Sequence, residues 1–362
     1  MIRSAHRPLF APRDMRLGIL ARLARINLLI VAALLVLGAI GVMMLYSVAD
    51  GHWQPYASRQ AIRFAAAFFV MIAMATIDLR IWLKLAYPAY VLGLVLLVAV
   101  EAIGTIGKGG QRWLDLGIMR LQPSEVMKVA LVLALARYYH ARHVWTAGRL
   151  ISLPLPVAMI AVPVVLVAAE PDLGTALILL MTGLVVIFLA GAPRWLFVAG
   201  ALAAAVAVPV VWSQMHDYQK QRVQTFLNPE KDPLGAGYQI IQSKIALGSG
   251  GVHGKGWLKG TQSHLDFLPE MKTDFIFTVL VEEFGLVGGL LVLGLFLLVI
   301  GHGLWVGLGC RNQFGRLLAA GLAFVIFSYV FINIGMVTGL LPVVGVPLPL
   351  ISYGGSALFT MM

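Results

Sequence analysis

Long apolar runs separated by short polar breaks recur along almost the whole chain. Most approach the roughly 20 residues that a helix rising about 1.5 Å per residue needs to cross a hydrocarbon core about 30 Å thick. The pattern predicts spans at Ile26–Tyr46, Ala61–Ile77, Leu83–Ile103, Pro123–Tyr139, Leu153–Ala169, Thr175–Ala192, Trp195–Trp212, Phe275–Ile300 and Leu317–Leu340. A tenth starts near Ser356 and is unfinished at Met362. The expected fold is therefore all-α: a polytopic integral membrane protein of about ten transmembrane helices. Two polar stretches are long enough to hold a site, residues 104–122 and the large loop 213–273 between the seventh and eighth helices. With no repeat of fixed period and no linker, residues 1–362 read as a single domain.

Composition agrees with the pattern. At 60% hydrophobic and 12% charged residues, with a mean hydropathy of +0.89, the chain has too little polar surface to cover a soluble globule. The lone Cys310 excludes an internal disulfide and a Cys-based metal site. A net charge of +11 raises the question of nucleic acid, but its distribution points to a membrane. Arg3, Arg7, Arg13, Arg16, Arg22 and Arg25 make residues 1–25 a basic segment held in the cytoplasm beside anionic membrane lipid, with no nucleic-acid partner implied. The first apolar run is long enough to span and lacks a clear small-residue cleavage site, so no cleavable signal is expected. Alternation from an inside start then puts Arg80, Lys84, Arg137, Arg142, Arg149, Arg194, Arg311 and Arg316 inside. Asp115, Glu125, Glu170, Asp172, Asp266, Glu270, Asp274, Glu282 and Glu283 fall at or near the outer face, which therefore carries the chemistry.

The densest chemistry lies between Lys255 and Glu283. Asp266, Glu270 and Asp274 are spaced four apart beside His264 and Lys272, where a polar loop enters an apolar helix. Asp274 reads either as the cap of the helix beginning at Phe275 or as a base at the membrane surface. Glu282 and Glu283 follow about 12 Å deeper, where acids must be protonated, paired or open to a water-filled cavity. In the other outer loop, Pro123 and Glu125 suit a helix start and Lys128 can pair with Glu125 at i+3. An ionisable Lys128 inside an apolar span is nonetheless costly, and Arg112, Arg120 and Lys128 together suit a phosphate group. Asp172 in Glu170-Pro171-Asp172 is a helix cap or the polar wall of a cavity. The strip Tyr218 to Arg222 suits lipid headgroups, and the glycines from Gly248 to Gly260 suit an anion cradle or, more simply, turns and close helix packing. No His/carboxylate spacing specifies a metal, and a divalent cation, Mg or Mn, sharing the charge is left open.

Five stretches taken together carry a resemblance: F-L-P-E-x-x-T-D-F-I-F-x-V-L-x-E-E, Q-P-S-E-x-x-K, P-D-L-G-T-A, G-S-G-G-x-x-G-K-G and P-L-P-L-I-S-Y-G-G-S-A-L. They resemble the SEDS family of shape, elongation, division and sporulation proteins, most closely its RodA-like branch, over essentially the whole chain. The resemblance implies a ten-helix peptidoglycan glycosyltransferase in the bacterial inner membrane that polymerises lipid II at the periplasmic face. Its implied partners are a class B penicillin-binding transpeptidase and other elongation-complex membrane proteins. Residue by residue, the catalytic acid is Asp274; Trp113, Arg120, Gln122, Glu125 and Lys128 match the first-loop motif, and Gln219 and Arg222 the basic loop. Arg112 and Asp172 join them as substrate-binding candidates, with Lys272, Glu282 and Glu283 in support. Lys272 stands where RodA-like proteins usually have His, so a His-Asp pair is not expected.

The implied chemistry suits this residue set. A polyprenyl pyrophosphate leaves readily, so one base and a cationic clamp suffice where a glycosidase uses two carboxylates. Asp274 would take the proton from the acceptor's 4-hydroxyl as it attacks the donor C1, while Arg222, Lys128 and Arg120 stabilise the leaving charge. Two other classes compete. In a lipid-precursor flippase or proton-coupled transporter, Asp274, Glu282 and Glu283 would form a relay; in a membrane scaffold they would only pack. Clustering of ionisable groups on one face favours the enzyme.

Overall fold

The computed structural model describes residues 22–24, 26–107, 110–115, 117, 120–142, 152–214, 220, 224–225, 228, 236–261 and 270–362. Its helices are α1 (Leu28–Ser47), α2 (Tyr56–Ala75), α3 (Leu79–Ile103), α4 (Pro123–His140), α5 (Pro154–Ala169), α6 (Leu173–Leu189), α7 (Arg194–Gln214), α8 (Ala236–Gly250), α9 (Ile276–Gly309), α10 (Gln313–Val337) and the short α11 (Gly355–Met361). Among the described residues α1, α2, α3, α9 and α10 are long and apolar enough to cross a membrane, and α5, α6 and part of α7 are shorter apolar helices. Side chains such as Phe69, Val95, Val206 and Leu308 point outward and exposed, as they do when lipid is the solvent.

Several helices start before the apolar run does, because a polar cap decides the first turn. Asp78 accepts from the Arg80 amide at 2.9 Å and starts α3 at Leu79 rather than Leu83. Asn312 accepts from the Phe314 amide at 3.1 Å and starts α10 at Gln313 rather than Leu317. Hydropathy sees only the apolar core of such a helix, whereas Arg80, Lys84 and Arg316 belong to it as well.

The expectation of an all-helical chain needs correction between residues 104 and 122. β1 (Thr105–Gly107), β2 (Gly110–Asp115) and β3 (Arg120–Leu121) form an antiparallel sheet in the order β1-β2-β3. Trp113 lies opposite Thr105, and Asp115 opposite Arg120. A short strand pairs its own backbone groups at the water boundary as well as a helix does, so hydropathy alone does not distinguish them. The large loop is also more than loop, since α8 lies within it and buries Ile240, Ser243 and Ala246. The Ser243 hydroxyl bonds Thr278 of α9 and the Val337 carbonyl of α10, both at 2.8 Å, which ties the loop into the helical body.

Two apolar clusters meet along α10. One packs α3 to α6 against Phe314, Leu317, Val325 and Tyr329; the other packs α1 and α9 against Val330, Met336 and Val337. The helix α4 is buried along nearly all its length. It is enclosed by protein, so it tolerates Glu125, Lys128 and Arg137 where a lipid-facing helix would not. One end of the body gathers basic groups: Arg22 donates to the Thr76 carbonyl at 2.7 Å, and Arg137 donates to the Lys84 carbonyl and lies over Tyr87. The acids Asp115, Glu170, Asp172 and Asp274 belong to the connections at the opposite helix ends.

Candidate active site

Asp274 stands immediately before α9. The helix begins at Ile276 with Phe275 at its cap position, so the capping role considered for Asp274 falls to its neighbour, which makes no side-chain cap bond. The residue is only 7% exposed. Its amide donates to the Glu270 carbonyl at 3.1 Å, and its carbonyl accepts from Asn333 of α10 at 2.8 Å. The same Asn333 amide group donates to the Val346 carbonyl at 2.8 Å, and Ser352 donates to the Thr273 carbonyl. The loop after α10 is thereby folded over the Thr273-Asp274 backbone. Gly345 in that loop has φ of 76°, and a Cβ there would lie 3.5 Å from Asp274 Oδ2. A side chain at this position would be strained by the positive φ, and its Cβ would sit in contact with the carboxylate.

The cap of α9 is followed by a break. Gly285 leaves helical geometry at φ 68° and ψ −166°, and the glycine-rich segment after α8 fills the gap. The Lys255 and Gly256 amides donate to the Glu282 and Glu283 carbonyls at 3.0 Å, and the Leu286 and Val287 amides donate back to Gly251 and Val252 at 2.9 and 3.2 Å. A Cβ on Gly254 would collide with the Glu283 carbonyl. Gly250 and Gly254 therefore serve close packing, and Gly251 and Gly256 serve turns at positive φ, the simpler of the two roles expected of this run. Both acids are buried: Glu282 receives Lys255 Nζ at 2.7 Å and Thr261 Oγ1 at 3.2 Å, and Glu283 receives the Ser47 hydroxyl. Pairing, one of the fates expected of deep acids, is what Glu282 finds.

A second cluster surrounds the start of α4 and the α5–α6 turn. Asp172 caps α6, accepting from Thr175 N at 3.2 Å and Thr175 Oγ1 at 3.0 Å, and also accepts from Gln122 Nε2 at 3.1 Å. Arg112 donates from Nε to the Glu170 carbonyl at 3.0 Å and from Nη2 to the Pro171 carbonyl, with Nη1 4.0 Å from Asp172. Below them, Lys128 Nζ is fully buried, 2.7 Å from Glu125 Oε1 and 4.2 Å from the Tyr329 ring centre. The Tyr329 hydroxyl donates to both Glu125 oxygens at 2.7 and 2.8 Å, and Thr360 reaches Glu125 Oε2 at 3.3 Å. Lys128 thus closes an internal ion pair rather than facing open space. Arg120, with its side chain 71% exposed and 3.8 Å from Asp115, is an open cation of this edge, and Trp113 is half-buried on β2. Gln219, Arg222, His264 and Asp266 lie outside the described residues.

Glu170 sits in the turn outside both helices, and its pKa is pushed up to about 8 by burial, then by the nearby Asp172 charge, against the lowering effect of Arg112. Its folded value exceeds its ordinary value of 4.5. The stability it contributes as a neutral acid is therefore complete below about pH 4.5 and is lost as pH rises through about 8. Glu170→Gln should melt higher than the parent protein at pH 8 to 9 and converge with it toward pH 5. Parallel melting curves across that range would remove the assignment.

The two clusters are joined by α10. Tyr329 holds Glu125 and Asn333, four residues on, holds Asp274, so one face of one helix sets both about a turn apart. The loop after it adds a second link, because a Cβ on Gly174 in the first turn of α6 would meet Val344 at 3.2 Å, beside the Gly345 that fronts Asp274. Sequence reasoning missed Tyr329 and Asn333 and gave Lys255 no partner, because their partners are remote in the chain. It also missed Arg63, which could have been found as an arginine inside an apolar helix. Among the described residues no group of three or more His, Cys, Asp or Glu is placed to hold a metal ion.

A bundle with apolar outward faces and several helices long and apolar enough to cross a membrane defines a multi-pass membrane protein, with the acids of the candidate site gathered toward one end of it. The chain belongs to the SEDS family: the FtsW, RodA and SpoVE cell cycle protein family matches residues 25–362. It is 51% identical over 336 residues to "Peptidoglycan glycosyltransferase MrdB" of Escherichia coli (strain K12), covering 92% of this chain and 89% of that one. Among solved structures, a chain from work on the structural coordination of polymerization and crosslinking by a peptidoglycan synthase complex matches with a TM-score of 0.80 and 31% identity, over 93% of this chain and 94% of that one. Thermus thermophilus rod shape determining protein RodA matches with a TM-score of 0.68 and 28% identity, over 92% and 91%.

Proposed function

We propose that this chain is a peptidoglycan glycosyltransferase of the bacterial inner membrane that polymerises lipid II at the outer face, with Asp274 as general base. The observation that carries the reading is the setting of Asp274: a nearly buried carboxylate at the outer end of a helix, its backbone held by Asn333 and Glu270, with a glycine left opposite Oδ2. A base held in that way can accept the acceptor sugar's 4-hydroxyl proton as the oxygen attacks the donor C1, and the polyprenyl pyrophosphate leaves without a protonating acid. Arg120 faces the pyrophosphate, a role the family resemblance also gives to Arg222 and Gln219; Arg112, Gln122 and Asp172 order the Arg120 edge, and Glu125 with Lys128 forms its buried frame. Glu282 holds Lys255, in the segment after α8 that fills the break of α9, and Glu283 ties the same stretch of α9 to Ser47 of α1. The polymerase assay on Asp274→Asn described in the Discussion tests this directly.

The crosslinking complex named for the similar solved structure supports a class B penicillin-binding transpeptidase as partner, within a larger elongation assembly. About ten spans, one domain and an outward-facing large loop follow from the alternation of basic and acidic ends. That orientation predicts that Ser263→Cys, in a Cys310→Ser background, reacts with a membrane-impermeant thiol reagent in intact spheroplasts. Labelling only after permeabilisation would invert the arrangement.

A further inference from the structure

Two cations that the mechanism above does not use are Lys272, two residues before Asp274, and Arg63 of α2, which reaches it through Tyr353. Lys272 Nζ sits 4.3 Å from the Tyr56 ring centre and Arg63 Cζ sits 5.1 Å from that of Tyr353. The two tyrosines meet edge to face at 5.3 Å, and the Tyr353 amide donates to the Lys272 carbonyl at 2.9 Å. The four side chains thus form one cluster from α2, the residues before Asp274 and the loop before α11. Gly355 lies against the guanidinium, since a Cβ there would be in van der Waals contact with Arg63 Cζ at 3.6 Å.

Two features set this cluster apart. Lys128, Lys255 and Arg120 each have a carboxylate within 4.0 Å, whereas among the described residues neither Arg63 nor Lys272 has one. Both are half-buried, so neither charge is fully given over to water. Arg63 also stands seven residues into α2, about 10 Å below its outer end, where a cation is costly unless it meets an anion or a polar cavity. An aromatic face orients a cation without neutralising it, leaving the guanidinium and ammonium hydrogens for another acceptor.

The same helix supplies apolar room for a lipid. Phe64, the residue after Arg63, and Ala61 line an open groove of about 580 Å³ shared with Leu35, Val42 and Met43 of α1. Its lining includes Tyr46, Trp53 and Trp257, with the Tyr46 ring 5.7 Å from Trp257 and 6.5 Å from Trp53. A cationic pair and an apolar groove that share α2 suit an anion carried on a hydrocarbon chain better than a soluble one.

We propose that Arg63 and Lys272, held on Tyr353 and Tyr56, form a binding site for the phosphates of a polyprenyl pyrophosphate lipid, with its chain in the α1–α2 groove. This rests on the glycosyltransferase reading and adds a second phosphate contact on the Asp274 side, apart from the Arg120 edge. The reaction brings together two lipid-linked sugars, each with its own pyrophosphate, so a second such contact has a substrate to serve.

The test uses the full chain in phosphatidylcholine nanodiscs, with binding of farnesyl pyrophosphate measured for the parent, Arg63→Gln, Lys272→Gln, the double variant and the charge-keeping Lys272→Arg. Each Gln variant should weaken binding about tenfold, the double variant more, and Lys272→Arg little, with farnesol and inorganic pyrophosphate binding poorly throughout. Unchanged melting temperatures separate lost binding from lost fold, and Lys272→Arg binding like Lys272→Gln would argue against a charge contact. Binding by the double variant equal to the parent overturns the site. Equal competition by phosphatidylglycerol would also overturn it, assigning the pair to membrane headgroups. Lipid II polymerisation by the parent is measured alongside: if it is present while the double variant binds normally, the site fails and the glycosyltransferase reading stands, whereas its absence counts against that reading itself.

Discussion

Asp274→Asn is expected to abolish lipid II polymerisation by the purified protein while leaving it folded. A positioned base contributes about 10² to 10⁴ in rate, so residual activity should fall to a hundredth of the parent or less. Asn keeps the size of the side chain, and the observed bonds to Asn333 and Glu270 run through the Asp274 backbone, which the substitution does not alter. Thermal stability and lipid II affinity should therefore change little. Glycan chains made at near-parental rate by a well-folded Asp274→Asn protein would remove Asp274 as the base. The same assay separates the enzyme from a flippase or a scaffold, since neither of those forms glycosidic bonds from purified lipid II.

The second large effect concerns fold rather than rate. Lys128→Gln removes the cation 2.7 Å from Glu125 in a fully buried setting. Breaking such a pair from one side typically costs about 3 to 5 kcal/mol, because the remaining charge is stranded. Loss of folded protein should dominate, with the surviving molecules turning over at close to the parental rate. Glu125 keeps its two bonds from Tyr329, so the double change Lys128→Met with Glu125→Gln should recover part of the loss. The measurements are thermal melting and single-turnover rate per folded molecule. An unchanged melting temperature with a rate lowered about 10² to 10³ would instead mean that the ammonium reaches the leaving pyrophosphate, as one preorganised electrostatic group does on that scale.

Much of the architecture was legible in the sequence because the bilayer imposes a length and a polarity that local runs must satisfy. Apolar runs predicted the helices, basic and acidic breaks predicted which ends gather together, and Asp172 as a cap needed only its place before Leu173-Gly174-Thr175. The five motifs were enough to indicate the family before any contact was known. Other features depended on which remote segments meet. Nothing local to Gln-Pro-Ser-Glu reveals that Tyr329 and Thr360 close around Glu125, or that Lys128 is thereby sealed from the surface. The break at Gly285 is filled by backbone amides from a segment some thirty residues earlier, and a glycine-rich run has the same composition whether it cradles an anion or packs against a helix. The setting of Asp274 is likewise tertiary: Asn333 and Gly345 reach it from other parts of the chain, and a side chain's chemistry is decided by what surrounds it rather than by its sequence neighbours.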